Sequence, residues 1–196
     1  MTDNAAIPPI LEVRDLCVEF HGEEGVNQAV KSVNFTLKRG RTLAIVGESG
    51  SGKSVSCYSI LRLIEKPGRI SGGSIRYHPK DGPAVDILQL AANDEQLYQL
   101  RGGAVGMIFQ EPMTAFSPVH TIGAQIIEAV LLHADVDKKA ARERAIEMLR
   151  KVGIPDPGQR IEQYPHELSG GLRQRAMIAM AMVSQPEILI ADEPTT

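Results

Sequence analysis

Apolar side chains fall at nearly every second position in two stretches near the start of the chain. They are Leu11, Val13, Leu16, Val18 and Phe20 among polar neighbours, then Val33, Phe35 and Leu37 beyond a glycine-containing turn. A period of two sends alternate residues to opposite faces of an extended chain, so residues 10–20 and 33–37 are predicted as strands of a partly solvated, antiparallel layer. Three short runs are apolar throughout: Thr42-Leu43-Ala44-Ile45-Val46, Val105-Gly106-Met107-Ile108-Phe109 and Ile188-Leu189-Ile190-Ala191. Runs apolar on both faces predict strands buried within an α/β core. Between the last two the spacing becomes helical, with Ile122, Ile126 and Val130 in 121–133 and Ala141, Ala145, Leu149 and Val152 in 137–152, the second closed by Gly153 and Pro155. Residues 51–64 and 171–184 are also predicted helices, ending before Pro67-Gly68 and near Pro186. A helical block therefore interrupts an α/β core, and the chain shows neither internal repeats nor low-complexity segments.

The turn between the run at 42–46 and the helix after it reads Gly47-Glu48-Ser49-Gly50-Ser51-Gly52-Lys53-Ser54, which fits the phosphate-binding pattern G-x-x-x-x-G-K-[ST]. Glycines let the backbone curl so that successive N–H groups point at phosphate oxygens. Lys53 then reaches the β- and γ-phosphates, and the Ser54 hydroxyl suits Mg²⁺. A chance match has odds on the order of one in a hundred for a chain of ordinary composition and this length, and the strand-loop-helix setting lowers them further.

Two carboxylates, Asp192 and Glu193, follow the last apolar run, at the end of a strand where ligands of open α/β sheets collect. Strand-acid-acid by itself is a common solvated turn. Beside a phosphate loop it gains a purpose, with Asp192 holding Mg²⁺ through water and Glu193 polarising the water that attacks the γ-phosphate. A third element is Leu168-Ser169-Gly170-Gly171-Leu172-Arg173-Gln174-Arg175, whose serine and glycines stand at a predicted helix N-terminus. Such an end attracts anions, although in isolation Ser-Gly-Gly is equally a cap or a turn. A domain that already has one phosphate loop would use a second anion site for another molecule's nucleotide.

Composition narrows the class. Of 196 residues, 43% are hydrophobic and 23% charged, which suits a globular domain. Lys+Arg 21 against Asp+Glu 24 gives −3, without the basic footprint of a nucleic-acid coat. The longest apolar run, residues 176–183, is well short of the ~20 residues that cross a bilayer. The opening Met1-Thr2-Asp3-Asn4 lacks the regions of a signal peptide, and Cys17 and Cys57 form no metal or redox pattern, so a cytoplasmic setting with packed thiols is expected.

The order of these motifs resembles the ATP-binding subunits of ABC transporters: the loop at Gly47, the glutamine of Ile108-Phe109-Gln110, Leu168-Ser169-Gly170-Gly171, and Ile190-Ala191-Asp192-Glu193-Pro194. The resemblance covers nearly the whole chain. Gln110-Glu111-Pro112-Met113-Thr114 and Tyr164-Pro165-His166-Glu167-Leu168 look like the dipeptide/oligopeptide importer branch. The resemblance implies an α/β fold with a P-loop NTPase core of the ABC ATPase type, an antiparallel β layer and an inserted α-helical subdomain. Residues 10–112 and 166–196 would form the nucleotide-binding core and about 113–165 the helical subdomain of one domain over 1–196.

The resemblance also implies roles. ATP would be held by Gly47, Glu48, Ser49, Gly50, Ser51, Gly52, Lys53, Ser54 and Val55, with Phe20 stacked on adenine, though Phe20 equally fits its strand's apolar face as core. Ser54, Gln110 and Asp192 would serve Mg²⁺, and Glu193, Gln110 and Lys53 hydrolysis. Ser169, Gly170, Gly171 and Gln174 would meet a partner's ATP. Leu172 stands where the family often has glutamine. The implied partners are a second ABC ATPase subunit, the same or different, two transmembrane permease subunits, and indirectly an extracytoplasmic solute-binding protein. The place implied is the cytoplasmic face of the membrane, peripherally bound. The cargo would be di- or oligopeptides, though similar subunits serve nickel, sugars and other solutes.

The family continues past the catalytic carboxylate with an aspartate-containing segment and a histidine that contacts the γ-phosphate. Here His21, His78, His120, His133 and His166 all precede Asp192, and Thr196 is the last residue. The expectation is a fragment, or a truncated protein with impaired hydrolysis, in which the C-terminal part of the fold is missing and a sheet edge lies exposed. Non-transport ABC ATPases of DNA maintenance or translation are the remaining alternative. Against them, the stretch from Lys53 to Ser169 holds no sustained heptads, and only one such domain is present.

Overall fold

The computed structural model describes residues 8–23 and 25–194, leaving the side chain of Thr114 undescribed. The opening tetrapeptide and Thr195-Thr196 lie outside the described residues. The chain divides into two compact units, 1–97 and 98–196.

The first unit is built on an antiparallel sheet of order β2-β1-β3-β4, from β1 (Pro9–Gly22), β2 (Gly25–Lys38), β3 (Gly68–Tyr77) and β4 (Val85–Asp86), with α1 (Lys53–Ile60) between β2 and β3. The predicted alternating strands and their antiparallel pairing are therefore both present. In β2 the side chains of Val33, Phe35 and Leu37 are half-buried while Asn34, Thr36 and Lys38 face solvent, as a one-sided strand requires.

β1 has a phase problem, because Leu11 and Val13 are odd-numbered and Leu16 and Val18 even, yet all four are buried. An extra residue restores one face, and the register between β1 and β2 shifts between Val13 and Leu16. Asp15 takes the strain there in the left-handed region, φ 49, opposite Ser32 at φ 51. Asn34 Oδ1 accepts from Asp15 N–H at 2.9 Å, and Asp15 Oδ1 accepts from Ser32 Oγ at 2.8 Å. The Ser32 hydroxyl, with the Asn34 amide donating to the same oxygen, holds the Asp15 carboxyl below its ordinary range.

Two expectations for this unit are corrected. The apolar run at 42–46 forms no strand, and Leu43, Ile45 and Val46 stand 42%, 41% and 88% exposed. A strand needs a neighbour to accept its ladder, and the run pairs with none of the described strands, so apolar composition cannot bury it. The helix after the phosphate loop is shorter than the predicted 51–64, occupying Lys53–Ile60. Arg62 closes it at φ 52, with Leu63 N–H donating to the Tyr58 carbonyl and Arg62 N–H to that of Ser59. This is the closure usually given to glycine, made here by arginine, so the apolar Leu63 and Ile64 lie beyond the helix.

α2 (Glu95–Leu100) carries the chain into the second unit. There β5 (Val105–Ile108) is followed by α3 (Pro112–Ala115), α4 (Ile122–His133), α5 (Lys138–Lys151), α6 (Pro157–Arg160), α7 (Gly170–Met182) and β6 (Ile188–Ala191). The predicted helical block is present. Thr121 Oγ1 caps α4 by accepting from Ala124 N–H at 3.1 Å, and Asp137 Oδ1 caps α5 by accepting from Ala140 N–H at 2.7 Å. The predicted faces meet in one core of Ile122, Ile126, Val130, Ala141, Ala145, Leu149, Ala176 and Met177.

β5 and β6 pair in parallel, and β5 is buried throughout. β6 buries Ile188 and Ile190 but leaves Leu189 42% exposed.

α4 ends at His133, which packs on the turn of Gly102 and Gly103; a Cβ at Gly103 would lie 2.8 Å from His133 Nδ1. Burial holds its imidazole below the ordinary 6.5, partly opposed by a backbone hydrogen bond with Arg101. Below pH 6.5 the unfolded chain therefore takes up the proton before the folded one, and stability falls as pH drops through this window. Thermal melts from pH 8 to pH 5 should show a decline below about pH 6.5 that shrinks in His133→Gln. An equal decline in the variant would assign it to other groups.

Candidate functional site

The first unit carries the phosphate loop. Gly50 (φ 78) and Gly52 (φ 90) are left-handed, and a Cβ at Gly52 would lie 2.5 Å from the Ala29 carbonyl oxygen. A Cβ at Gly47 would lie 2.6 Å from Ser51 Oγ. Glycine is thus favoured at 50 and 52 by conformation and at 52 also by space, whereas at 47 a side chain would displace the Ser51 hydroxyl. Gly52 is the N-cap of α1 and supplies no side-chain bond to the first-turn amides. Lys53 Nζ folds back into the loop, donating to the Gly47 and Glu48 carbonyls at 2.9 Å each. Glu48, Ser49, Gly50 and Ser51 are exposed. Phe20, near the end of β1, is half-buried rather than fully enclosed as a core aromatic would be.

The second unit carries the carboxylates. β5 and β6 run in parallel with Ile108 opposite Ala191, so each strand's second following residue emerges at the same edge. Those residues are Gln110 and Glu193, and Gln110 Nε2 donates to Glu193 Oε2 at 3.0 Å. Asp192 is buried, its N–H donating to the Ile108 carbonyl at 3.0 Å. Glu193 is exposed and left-handed, φ 47, a conformation that costs a non-glycine residue about 1 kcal/mol or more and concentrates at functional positions.

Ser169 is the N-cap of α7, yet its hydroxyl makes no capping bond. A Cβ at Gly170 or Gly171 would meet nothing within 4 Å, so nothing among the described residues requires glycine there. Leu172 packs on the helical core instead of facing solvent.

Sequence reasoning missed two links. Gln174 Nε2 donates to the Pro194 carbonyl, tying α7 to the turn after the carboxylates, and Arg173 Nη1 donates to Met113 Sδ at 3.1 Å. Neither has a local signal in the sequence, because both depend on how α7 lies against α3 and the turn that follows β6.

Among the described residues no three His, Cys, Asp or Glu side chains gather as a metal cluster. The oxygen donors of Ser54, Gln110 and Asp192 are of the hard type that Mg²⁺ takes. The Gln110 amide fits such a role, because its nitrogen is engaged by Glu193 and its oxygen is the atom left to ligate.

The ABC transporter family profile matches residues 30–196. A probable peptide ABC transporter ATP-binding protein, y4tR of Sinorhizobium fredii, is 51% identical over 197 residues, covering 100% of this chain and 57% of that protein. The oligopeptide transport ATP-binding protein OppD of Bacillus subtilis is 47% identical over 188 residues, covering 95% and 51% respectively. The chain therefore spans between half and three-fifths of the length of these relatives. Among solved structures, the dimeric post-hydrolysis state of the ATP-binding cassette MJ0796 bound to ADP and Pi superposes with a TM-score of 0.80 at 26% identity, covering 94% of this chain and 74% of that one.

Proposed function

Because the chain belongs to the ABC transporter family of ATP-binding domains, we propose that it binds and hydrolyses ATP as the motor subunit of an importer, with di- or oligopeptides as cargo. The observation that carries this reading is the phosphate loop, with Lys53 folded onto the Gly47 and Glu48 carbonyls at an uncapped helix N-terminus. The peptide assignment rests on the relatives' names and on the motifs around Gln110 and Tyr164, since no residue described here would touch cargo.

In this proposal the amides from Gly47 to Val55 cradle the phosphates, Lys53 exchanges its carbonyl partners for β- and γ-phosphate oxygens, and Phe20 stacks on adenine. Ser54, Gln110 and Asp192 each offer Mg²⁺ an oxygen, and the ion, when bound, would neutralise charge on the phosphates. Glu193 draws a proton from the attacking water, with Gln110 orienting the carboxylate through its amide. Phosphoryl transfer depends mostly on positioning and charge, which is what these residues supply.

Ser169, Gly170, Gly171 and Gln174 serve a partner's nucleotide in this reading. The open space around both glycines and the Ser169 hydroxyl, which makes no capping bond, support it, while Gln174 would have to exchange its bond to the Pro194 carbonyl. The partner is a second ATPase subunit, the same or different, and the pair would act on two permease subunits at the cytoplasmic face of the membrane, next to an external solute-binding protein. Residues 10–112 and 166–196 act as the nucleotide-binding core and about 113–165 as the helical subdomain.

The test is a titration of the 196-residue chain with Mg-ATP, recording equilibrium binding and phosphate release in the same samples. Saturable binding is expected, and its absence would overturn the reading at its first step. Binding without release would restrict the proposal to nucleotide binding.

A further inference from the structure

Gly68 opens β3 directly opposite Phe20 of β1. A Cβ added to Gly68 would lie 2.6 Å from Phe20 Cε1, 2.8 Å from Ile64 Cγ2 and 2.9 Å from the Glu65 carbonyl oxygen. The Phe20 ring and the Ile64 side chain thus both occupy the space over the bare Cα of Gly68. Gly68 is not among the positive-φ glycines, so what it supplies is space and not conformational freedom.

The residues flanking Phe20 are tied to the same turn. His21 N–H donates to the Pro67 carbonyl at 3.2 Å, and Gly68 N–H closes the turn on the Glu65 carbonyl at 2.8 Å. Glu19 Oε1 accepts from Arg69 Nε at 2.7 Å and lies 2.9 Å from His21 Nε2. The turn is the continuation of α1, whose first residue is Lys53, so one stretch of chain leads from the phosphate loop to the seat of the aromatic ring.

We propose that Gly68, together with Ile64, is a positioning residue that fixes the Phe20 ring as the stacking platform for the nucleotide base. The proposal rests on the reading of Phe20 as the adenine contact. A platform works only if its plane is held before the base arrives, because an unrestrained ring would lose rotamer freedom on binding. A side chain at 68 would push the ring off its seat, and a smaller one at 64 would leave it unsupported.

The test compares Mg-ATP with Mg-tripolyphosphate, which keeps the phosphates and lacks the base, on the 196-residue chain and its variants. Phe20→Ala should weaken Mg-ATP binding by about 5- to 100-fold and leave tripolyphosphate unchanged, as removal of a base-stacking aromatic does. Gly68→Val should weaken Mg-ATP selectively, by about 3- to 10-fold, and add nothing to Phe20→Ala in the double variant, because it acts through the ring. Ile64→Ala introduces no clash, should produce the same selective loss, and decides the matter if Gly68→Val does not fold.

The proposal is overturned if Phe20→Ala is selective while Gly68→Val or Ile64→Ala is silent, or if either weakens both ligands equally, which marks general damage to the unit. If Phe20→Ala itself leaves the ratio of the two affinities unchanged, the adenine reading of Phe20 fails and the positioning role falls with it.

Discussion

Replacing Glu193 with glutamine should lower phosphate release from Mg-ATP by about 10²–10⁴-fold, the usual contribution of a general base, while Mg-ATP affinity stays as it was. Glutamine has the same shape and still offers Gln110 Nε2 an oxygen, so the 3.0 Å contact at the strand ends survives. What disappears is the negative charge that draws a proton from water. Glu193 is exposed, so the exchange leaves no buried group without a partner and stability should not change.

Phosphate release and equilibrium binding, measured in the same samples, separate the possible outcomes. Undiminished turnover would remove Glu193 from the role of base. A loss of binding equal to the loss of turnover would make it a ligand-holding residue instead. Gln110→Glu is an informative companion, because it replaces the amide donor by a second carboxylate 3.0 Å away whose repulsion would displace Glu193 from its present pose, so turnover should fall as well.

Much of this site follows from local pattern, and what escapes depends on partners distant in sequence. The loop from Gly47 to Ser54 is legible because its glycines answer a local demand of conformation, the left-handed turns at Gly50 and Gly52. The helical block is legible because Ile122, Ile126 and Val130, and Ala141, Ala145 and Leu149, repeat at a helical period between side-chain caps. The pairing of Gln110 with Glu193 is different, because it needs the register that sets Ile108 opposite Ala191, and two apolar runs carry no information about register.

β3 was not predicted at all. Its sequence includes Gly68, Gly72 and Gly73, which weaken any strand pattern, and the pairing comes from β1. The run at 42–46 errs in the opposite direction, since its composition is that of a buried strand and no described strand pairs with it. The end of α1 is misjudged for a third reason, which is that an arginine occupies the left-handed position where a glycine would have announced the stop.

Lys53 should have the largest effect on binding itself. Lys53→Ala is expected to weaken Mg-ATP by about 10- to 100-fold, the range set by losing a charge-assisted hydrogen bond to a phosphate. The cost to the fold should be small, since the two bonds from Nζ to the Gly47 and Glu48 carbonyls are exposed and water can replace the donor. Those two carbonyls also say why charge alone should not suffice. They are the atoms that a compact ammonium reaches from the Lys53 stem, whereas the planar fork of a guanidinium presents its donors in a different geometry. Lys53→Arg should therefore fail to restore full affinity although it keeps the charge, and Lys53→Ala, which removes it, should lose less affinity than the native chain as salt rises. Full rescue by arginine would reduce the role of Lys53 to a general positive field, and unchanged affinity in Lys53→Ala would remove the phosphate loop as the seat of binding.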